Sequence, residues 1–268
     1  MKTFLALAAL LAAAPTCAER IDAQALSHLP QADVVVLGEV HDNPVHHANQ
    51  AQAVAALAPS AVVFEMLTPE QAARVTPALR ADRAALEQAL GWADTGWPDF
   101  AMYHPIFTAS DAAIYGAALP REQVRRAVGE GAAAVFGEEA AAYGLADPLP
   151  GDQQREREDL QRDAHCNALP ETLLPGMVEA QRLRDAAFAR TVAQAVAETG
   201  GPVAVITGNG HARRDWGLPA ALALAAPGLS LISVGQLEET PEDGAPYDFW
   251  LVTEATERDD PCAGLMTD

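Results

Sequence analysis

The sequence predicts an α/β protein whose largely parallel β-sheet is flanked by helices, with an additional helical lobe. Six short runs rich in Val, Ile and other apolar residues, each bounded by turn formers, are typical of β-strands. Most of these runs are apolar on both faces, as expected for a parallel sheet that is covered by helices on both sides. Longer stretches with helical patterns separate them, which is the order that crossover connections between parallel strands produce.

The predicted strands and helices alternate along the chain. The strands are predicted at residues 32–38, 61–66, 113–119, 202–208, 229–235 and 247–253. The helices are predicted at residues 46–57, 69–90, 123–129 and 175–199. The interval 121–199 contains no good strand, so together with 68–105 it is predicted to build the helical lobe. The α/β core is then predicted to comprise residues 30–66, 110–120 and 200–254.

The first 18 residues are typical of a secretory signal peptide. Lys2 precedes an apolar stretch that is too short to span a bilayer, and small residues follow it up to Ala18. We predict cleavage after Ala18, which leaves a single domain over residues 19–268. A lipid anchor at Cys17 is disfavoured because residues 14–16 (APT) lack the Leu-rich box that lipidation needs. The protein is therefore predicted to be periplasmic or secreted, without a transmembrane segment.

Composition and charge restrict the partners. Half of the 268 residues are hydrophobic, which is enough for a substantial core. The chain has 17 Lys and Arg against 37 Asp and Glu, and its net charge is −20. Such a surface repels the phosphate backbone, so nucleic acid is not expected as a partner.

Two cysteines remain after removal of the predicted signal peptide. A pair of cysteines in an oxidising compartment usually forms a structural disulfide, so we predict a bridge between Cys166 and Cys262. This bridge would tie the C-terminal tail to the helical lobe. A soft metal pair is the alternative, but it lacks the close spacing that metal-binding cysteines show.

Four polar residues follow three of the predicted strands. Glu39 and His41 come after the first strand, Glu65 lies at the end of the second, and His211 follows the fourth. Because ligands bind beyond the carboxyl ends of parallel strands, these side chains are expected around one cleft. Imidazole and carboxylate can act as general acid and base, or can ligate a divalent metal through His41, Glu65 and His211.

These residues also carry a resemblance to a known family. Residues 38–47 (GEVHDNPVHH), 64–66 (FEM), 103–107 (YHPIF), 181–185 (QRLRD) and 208–211 (GNGH) resemble the ChaN family of haem-binding iron-uptake proteins. A wider grouping joins this family to the Tiki and TraB proteins and to the erythromycin esterases. The two strand-end motifs, Gly-x-x-His and Gly-Asn-x-His, are its most specific parts.

The branches of this grouping imply different functions. The ChaN branch implies haem binding in bacterial iron acquisition, with a pair of haems between two subunits and hence a homodimer. The Tiki and esterase branches imply hydrolysis, with Glu39, His41, Glu65 and His211 as the catalytic set. No motif aligns a haem ligand.

Haem needs a broad apolar wall and an axial ligand. Tyr143 is the preferred ligand from the sequence because it lies in an apolar helical run, residues 132–145, that could present a flat face. His165 is a second candidate. Two functions therefore stay open, an exported haem-binding or iron-binding protein and a metal-dependent hydrolase.

Overall fold

The computed structural model describes residues 18–242, 244–260 and 262–263. The predicted signal peptide and Cys17 therefore lie outside the described residues, except for Ala18. No helix in the described ranges is long and apolar enough to cross a membrane.

A seven-stranded, all-parallel sheet forms the centre of the fold. Its strands are β1 (Glu19–Arg20), β2 (Val34–Glu39), β3 (Ala61–Phe64), β4 (Ala113–Gly116), β5 (Val203–Gly208), β6 (Leu231–Leu237) and β7 (Phe249–Val252). Their order across the sheet is β1-β7-β6-β2-β5-β3-β4. The prediction of an α/β fold with six parallel strands is confirmed. The added strand β1 is two residues long, too short for any periodicity to reveal.

Eleven α-helices are assigned in the described residues. They are α1 (Pro44–Leu57), α2 (Pro69–Ala72), α3 (Pro77–Arg80), α4 (Arg83–Leu90), α5 (Phe100–Thr108), α6 (Arg121–Glu130), α7 (Ala132–Phe136), α8 (Gly151–Ala164), α9 (Leu174–Thr199), α10 (Asn209–Ala212) and α11 (Leu218–Ala225). Short 3-10 helices cover Ala23–His28, Trp92–Asp94, Glu138–Ala141 and Glu171–Leu173.

One predicted helix is divided. The sequence predicts a single helix at 69–90, whereas the structure has α2, α3 and α4 there. Thr68, Thr76 and Asp82 each accept a hydrogen bond from a backbone N–H at the start of one of these helices. Each capping residue begins a new helix, because its own backbone is extended rather than helical.

The helices form two layers, one on each face of the sheet. Alternate residues of β2 point to opposite faces, so Val34 and Val36 pack with α9, whereas Val35 and Leu37 pack with α1 and α5. The predicted lobe segments 68–105 and 121–199 therefore do not lie side by side. The first covers the face of α1 and the second covers the face of α9.

After the two neighbouring strands β2 and β5, the chain continues on opposite faces of the sheet. α1 follows β2 and packs on one face, whereas α10 and α11 follow β5 and pack towards the other. These strands are neighbours in register, with Glu39 beside Gly208 at their carboxyl ends. Connections that diverge from adjacent parallel strands leave a crevice between them, and ligands bind in such crevices.

The C-terminal tail is fastened to the carboxyl edge of the sheet. The predicted disulfide between Cys166 and Cys262 is confirmed, with 5.4 Å between the Cα atoms. Arg258 also forms ion pairs with Asp42, at 2.8 Å, and with Glu238, at 2.6 Å. The tail thus connects the loop after β2 to the end of α8.

Candidate functional site

The first carboxylate and imidazole pair lies on the α1 face of the sheet. His41 donates from Nδ1 to Oε1 of Glu39 over 2.7 Å. Oε1 of Glu39 also accepts a hydrogen bond from the Tyr103 hydroxyl at 3.0 Å. The second carboxylate oxygen of Glu39, Oε2, lies 3.4 Å from Nδ1 of His47. Glu39 is buried, so its carboxylate is a fixed acceptor that holds the His41 ring in one orientation.

The second pair lies on the α9 face. His211 donates from Nδ1 to Oδ1 of Asp185 over 2.7 Å, and its Nε2 lies 3.7 Å from Oε1 of Glu65. Glu65 accepts hydrogen bonds from the Thr207 hydroxyl at 2.6 Å and from the backbone N–H of Gly208 at 2.7 Å. Both ring nitrogens of His211 thus face carboxylates.

Gly208 allows the two pairs to approach each other. A Cβ atom at this position would lie 2.8 Å from Nε2 of His41 and 3.7 Å from Oε2 of Glu65. A side chain here would therefore collide with the His41 ring. The four residues that the sequence singled out, Glu39, His41, Glu65 and His211, lie together at the carboxyl edge, on the two sides of the β2 and β5 strand ends.

Neighbouring carboxylates change the pKa values of the two imidazoles. Burial lowers the pKa of His41, but its hydrogen bond to Glu39 and the nearby negative charges outweigh burial and raise it. Burial likewise opposes protonation of His211, yet the charges of Glu65 and Asp185 raise its pKa. The pKa of Glu65 is lowered despite burial, because His211 and His41 favour its charged form. The imidazoles and carboxylates at this edge therefore shift one another's pKa values.

A cleft of about 540 Å³ opens beside these pairs, between the carboxyl edge of the sheet and α8. His41 and His211 lie on its sheet side. Its other walls combine apolar side chains, namely Leu160, Ala164, Val178 and Trp216, with polar ones, namely Arg157, Gln161, Gln181 and Arg213. This volume is within the range of pockets that hold small organic molecules.

The metal role predicted for His41, Glu65 and His211 stays a prediction. Within residues 18–242, 244–260 and 262–263, no group of three or more His, Cys, Asp or Glu side chains is placed to hold a metal ion. His211 faces one carboxylate from each ring nitrogen, and His41 uses Nδ1 for Glu39. The side chains therefore bind one another in pairs.

The predicted haem ligands lie elsewhere. Tyr143 is only 9% exposed and its ring packs 5.1 Å from that of Phe136, so the expected flat, open face is not present. The apolar run around it is interrupted at Gly137, where α7 ends. His165 follows α8 and donates from Nδ1 to the Gln161 carbonyl over 2.8 Å. Neither residue lines the cleft, and their haem-binding role stays a prediction.

His46 holds the loop after β2 to the tail, and it gives a testable pH dependence. Its Nδ1 accepts from the Val40 N–H at 2.8 Å, and its Nε2–H donates to Thr253 at 2.7 Å. Burial lowers its pKa to about 4. An unfolded histidine titrates near 6.5, so between pH 6.5 and 4 the unfolded chain binds a proton that the folded chain does not.

We therefore expect His46 to lower the free energy of unfolding by about 3 kcal/mol as the pH falls from 6.5 to 4. Urea unfolding at pH 7 and pH 4 measures this loss, and the His46→Gln variant should lose about 3 kcal/mol less than wild type across the same interval. An equal loss in both proteins would contradict the assignment of a neutral His46.

Comparison with known proteins gives the family. Residues 25–222 match the family described as haem-binding uptake, Tiki superfamily, ChaN. The chain belongs to this ChaN family. The resemblance predicted from the strand-end motifs is thus confirmed, and the matched residues include both carboxylate and imidazole pairs. A comparison with curated proteins finds no match.

Solved structures also match this ChaN family member, and the first of them shares its fold. ChaN of Campylobacter jejuni, in a structure of cofacial haem binding, has a TM-score of 0.63 and 22% identity, over 84% of this chain and 89% of that chain. The type III effector HopBA1 has a TM-score of 0.45 and 10% identity, over 87% and 92%. A Bacillus cereus protein has a TM-score of 0.37 and 14% identity, over 88% and 73%.

Several residues around the site of this ChaN family member had no site role assigned to them from the sequence. Asp185 belongs to the 181–185 motif of the resemblance, and the structure shows that it is buried on α9 beside His211. Tyr103 and Trp97 come from the other layer, where Trp97 packs 4.9 Å from the His41 ring. Arg157 and Trp216 enter the cleft from α8 and from the loop before α11, and no sequence spacing connects them to the strand ends.

Proposed function

We propose that this chain binds haem for iron uptake, and that it does so in the cleft between the sheet edge and α8. The observation that carries the proposal is the combination, in one cleft of about 540 Å³, of apolar walls with an imidazole held by a carboxylate. A porphyrin buries its ring against apolar side chains, and its iron is held by a side chain such as His. Membership of the ChaN family supports the same ligand.

His41 is the side chain best placed to hold the iron. Its side chain is 34% exposed, whereas that of His211 is 13% exposed and both of its ring nitrogens face carboxylates. Histidines that ligate metals usually donate their other ring N–H to a carboxylate, which fixes the ring and increases its basicity. The Glu39 contact of His41 has this form, and it leaves Nε2 for the iron.

A pair of haems between two copies of the chain is part of the proposal. Cofacial haem binding is described for ChaN of Campylobacter jejuni. In this chain the cleft is bordered by Leu160, which keeps 44% of its surface exposed. Apolar surface beside a ligand site favours its burial by a second copy once the ligand is bound.

Export is proposed as the context of this function. The support is the disulfide between Cys166 and Cys262, since such bonds persist in oxidising compartments such as the bacterial periplasm. The N-terminal sequence typical of a signal peptide agrees with this location.

A titration of the purified protein with haem tests the function. We expect a saturable shift of the Soret band with one haem per chain, and sedimentation velocity should show the haem-loaded protein at twice the mass of the haem-free chain. A titration in which the Soret band changes only in proportion to added free haem would reject haem binding. Saturation of a species that stays monomeric would reject the paired arrangement alone.

The metal-dependent hydrolase remains the alternative. It would use the same Glu39, His41, Glu65 and His211, with water as the nucleophile. We place haem binding first because the imidazoles and carboxylates are arranged in pairs that satisfy one another, and because apolar side chains line the adjacent cleft.

A further inference from the structure

Arg157 on α8 is a buried cation. The residue is 8% exposed, and among the described residues it has no acidic oxygen within the 4.0 Å of an ion pair. Its guanidinium lies over the Trp216 ring at 5.0 Å and donates to the Trp216 carbonyl over 3.2 Å. Its Nε is buried, and no group in the described part of the chain forms a hydrogen bond with it. A buried charge without a counter-ion and a buried N–H without an acceptor both destabilise the fold unless a ligand pairs with them.

The other charged side chains around Arg157 are already paired. Asp185 accepts from His211 at 2.7 Å, and Asp215 forms hydrogen bonds with Arg213 at 2.7 and 3.0 Å. Arg182 pairs with Glu179 at 2.7 Å. Burial lowers the pKa of Arg157 to about 10, as expected for a cation without a carboxylate in contact. The unsatisfied charge at this point is therefore positive.

Arg157 lies between two cavities. It lines the cleft of about 540 Å³, and it also lines a smaller cavity of about 180 Å³ towards Tyr143 and Leu224. Trp216 and Asp185 line both cavities as well. A molecule in the cleft can therefore present a side group to the guanidinium.

We propose that Arg157 binds a carboxylate of the molecule in the cleft, namely a propionate of haem. This inference rests on the proposed function and specifies which part of the ligand the chain recognises. Haem carries two carboxylates, and a guanidinium binds a carboxylate through two parallel hydrogen bonds. Because the chain has a net charge of −20, an anionic ligand needs a local cation, and Arg157 supplies one at the wall of the cleft.

Haem and its dimethyl ester distinguish this interaction in the wild-type protein. The two molecules share the iron and the porphyrin ring, but the ester lacks both carboxylates. We expect haem to bind at least about tenfold more tightly than the ester in Soret titrations, which corresponds to about 1.4 kcal/mol. Equal affinities would overturn the role of Arg157, whereas binding of neither molecule would instead reject the proposed function.

Substitutions of Arg157 test whether the preference for haem over its ester comes from this residue. Arg157→Gln should weaken haem binding about tenfold and leave the affinity for the ester unchanged, while Arg157→Lys should retain part of the preference. Arg155→Gln removes the same charge from an exposed position of the same helix and serves as the matched control. An equal loss for haem and ester in Arg157→Gln would show a structural role and overturn the inference.

A free carboxylate is the other source of the same chemistry. Succinate at millimolar concentration should leave the thermal midpoint of the haem-free protein unchanged. If succinate raises that midpoint in wild type but not in Arg157→Gln, and haem binds no better than its ester, the site takes a small anion and the inference about propionate is wrong.

Discussion

The His41→Ala variant is expected to bind haem about a hundredfold more weakly than wild type. The substitution removes the imidazole whose Nδ1 is held by Glu39 at 2.7 Å and whose Nε2 is left for the iron. A hundredfold loss corresponds to about 2.7 kcal/mol. Soret titrations of both proteins, with circular dichroism to confirm folding, measure the effect.

Three further variants make this result specific. His28→Ala carries the same substitution on an exposed residue outside the cleft and should bind haem as wild type does. Tyr143→Phe and His165→Ala test the two ligands that the sequence favours. If Tyr143→Phe loses haem while His41→Ala retains it, the iron lies near Tyr143 and the cleft proposal is wrong.

Removal of the disulfide should cause the largest loss of stability. We expect the Cys166→Ser, Cys262→Ser double variant to have a free energy of unfolding lower by about 4 kcal/mol than the oxidised wild type. The bridge joins residues 96 apart, and a cross-link of that span strongly restricts the unfolded chain. Denaturant unfolding of the two proteins under non-reducing conditions measures the difference.

Reduced wild-type protein is the natural control for this comparison. Treatment with dithiothreitol should bring wild type to the stability of the double variant and leave the variant unaffected. Equal stabilities of oxidised wild type and double variant would mean that Arg258, through Asp42 and Glu238, holds the tail without help from the disulfide.

Local sequence patterns were sufficient for the central strands and for α1 and α9, whereas α8 was not among the predicted helices. The runs that form β2, β5 and β6 are continuous apolar segments bounded by turn formers, and such segments are stable only when both faces are buried. The prediction of one continuous helix at 69–90 was wrong, because Thr76 and Asp82 cap new helices and so interrupt the run. Capping contacts depend on side-chain geometry that periodicity does not contain.

The sequence also placed four polar residues, Glu39, His41, Glu65 and His211, at one edge of the sheet. Glu39 ends β2, His41 and His211 follow the mostly apolar strands β2 and β5, and all parallel strands end at the same edge. Whether these strand ends meet at one cleft depends on strand order, which the sequence does not give; in the structure β2, β5 and β3 are neighbours. The sequence does not show which carboxylate pairs with which imidazole, because Asp185, the partner of His211, lies on α9 and not at a strand end.

The proposed haem site depends on contacts between distant parts of the chain. Tyr143 looked suitable because its neighbours are apolar, but the same apolar character packs it into the core against Phe136. The cleft is formed where α8 approaches the strand ends, bringing Arg157 and Trp216 to His41. The sequence by itself therefore determined the fold class, the disulfide and the edge at which the polar residues gather, since these follow from local patterns and from residue types. Only the tertiary structure decided which side chains pair and where a ligand fits, because those depend on how the layers pack.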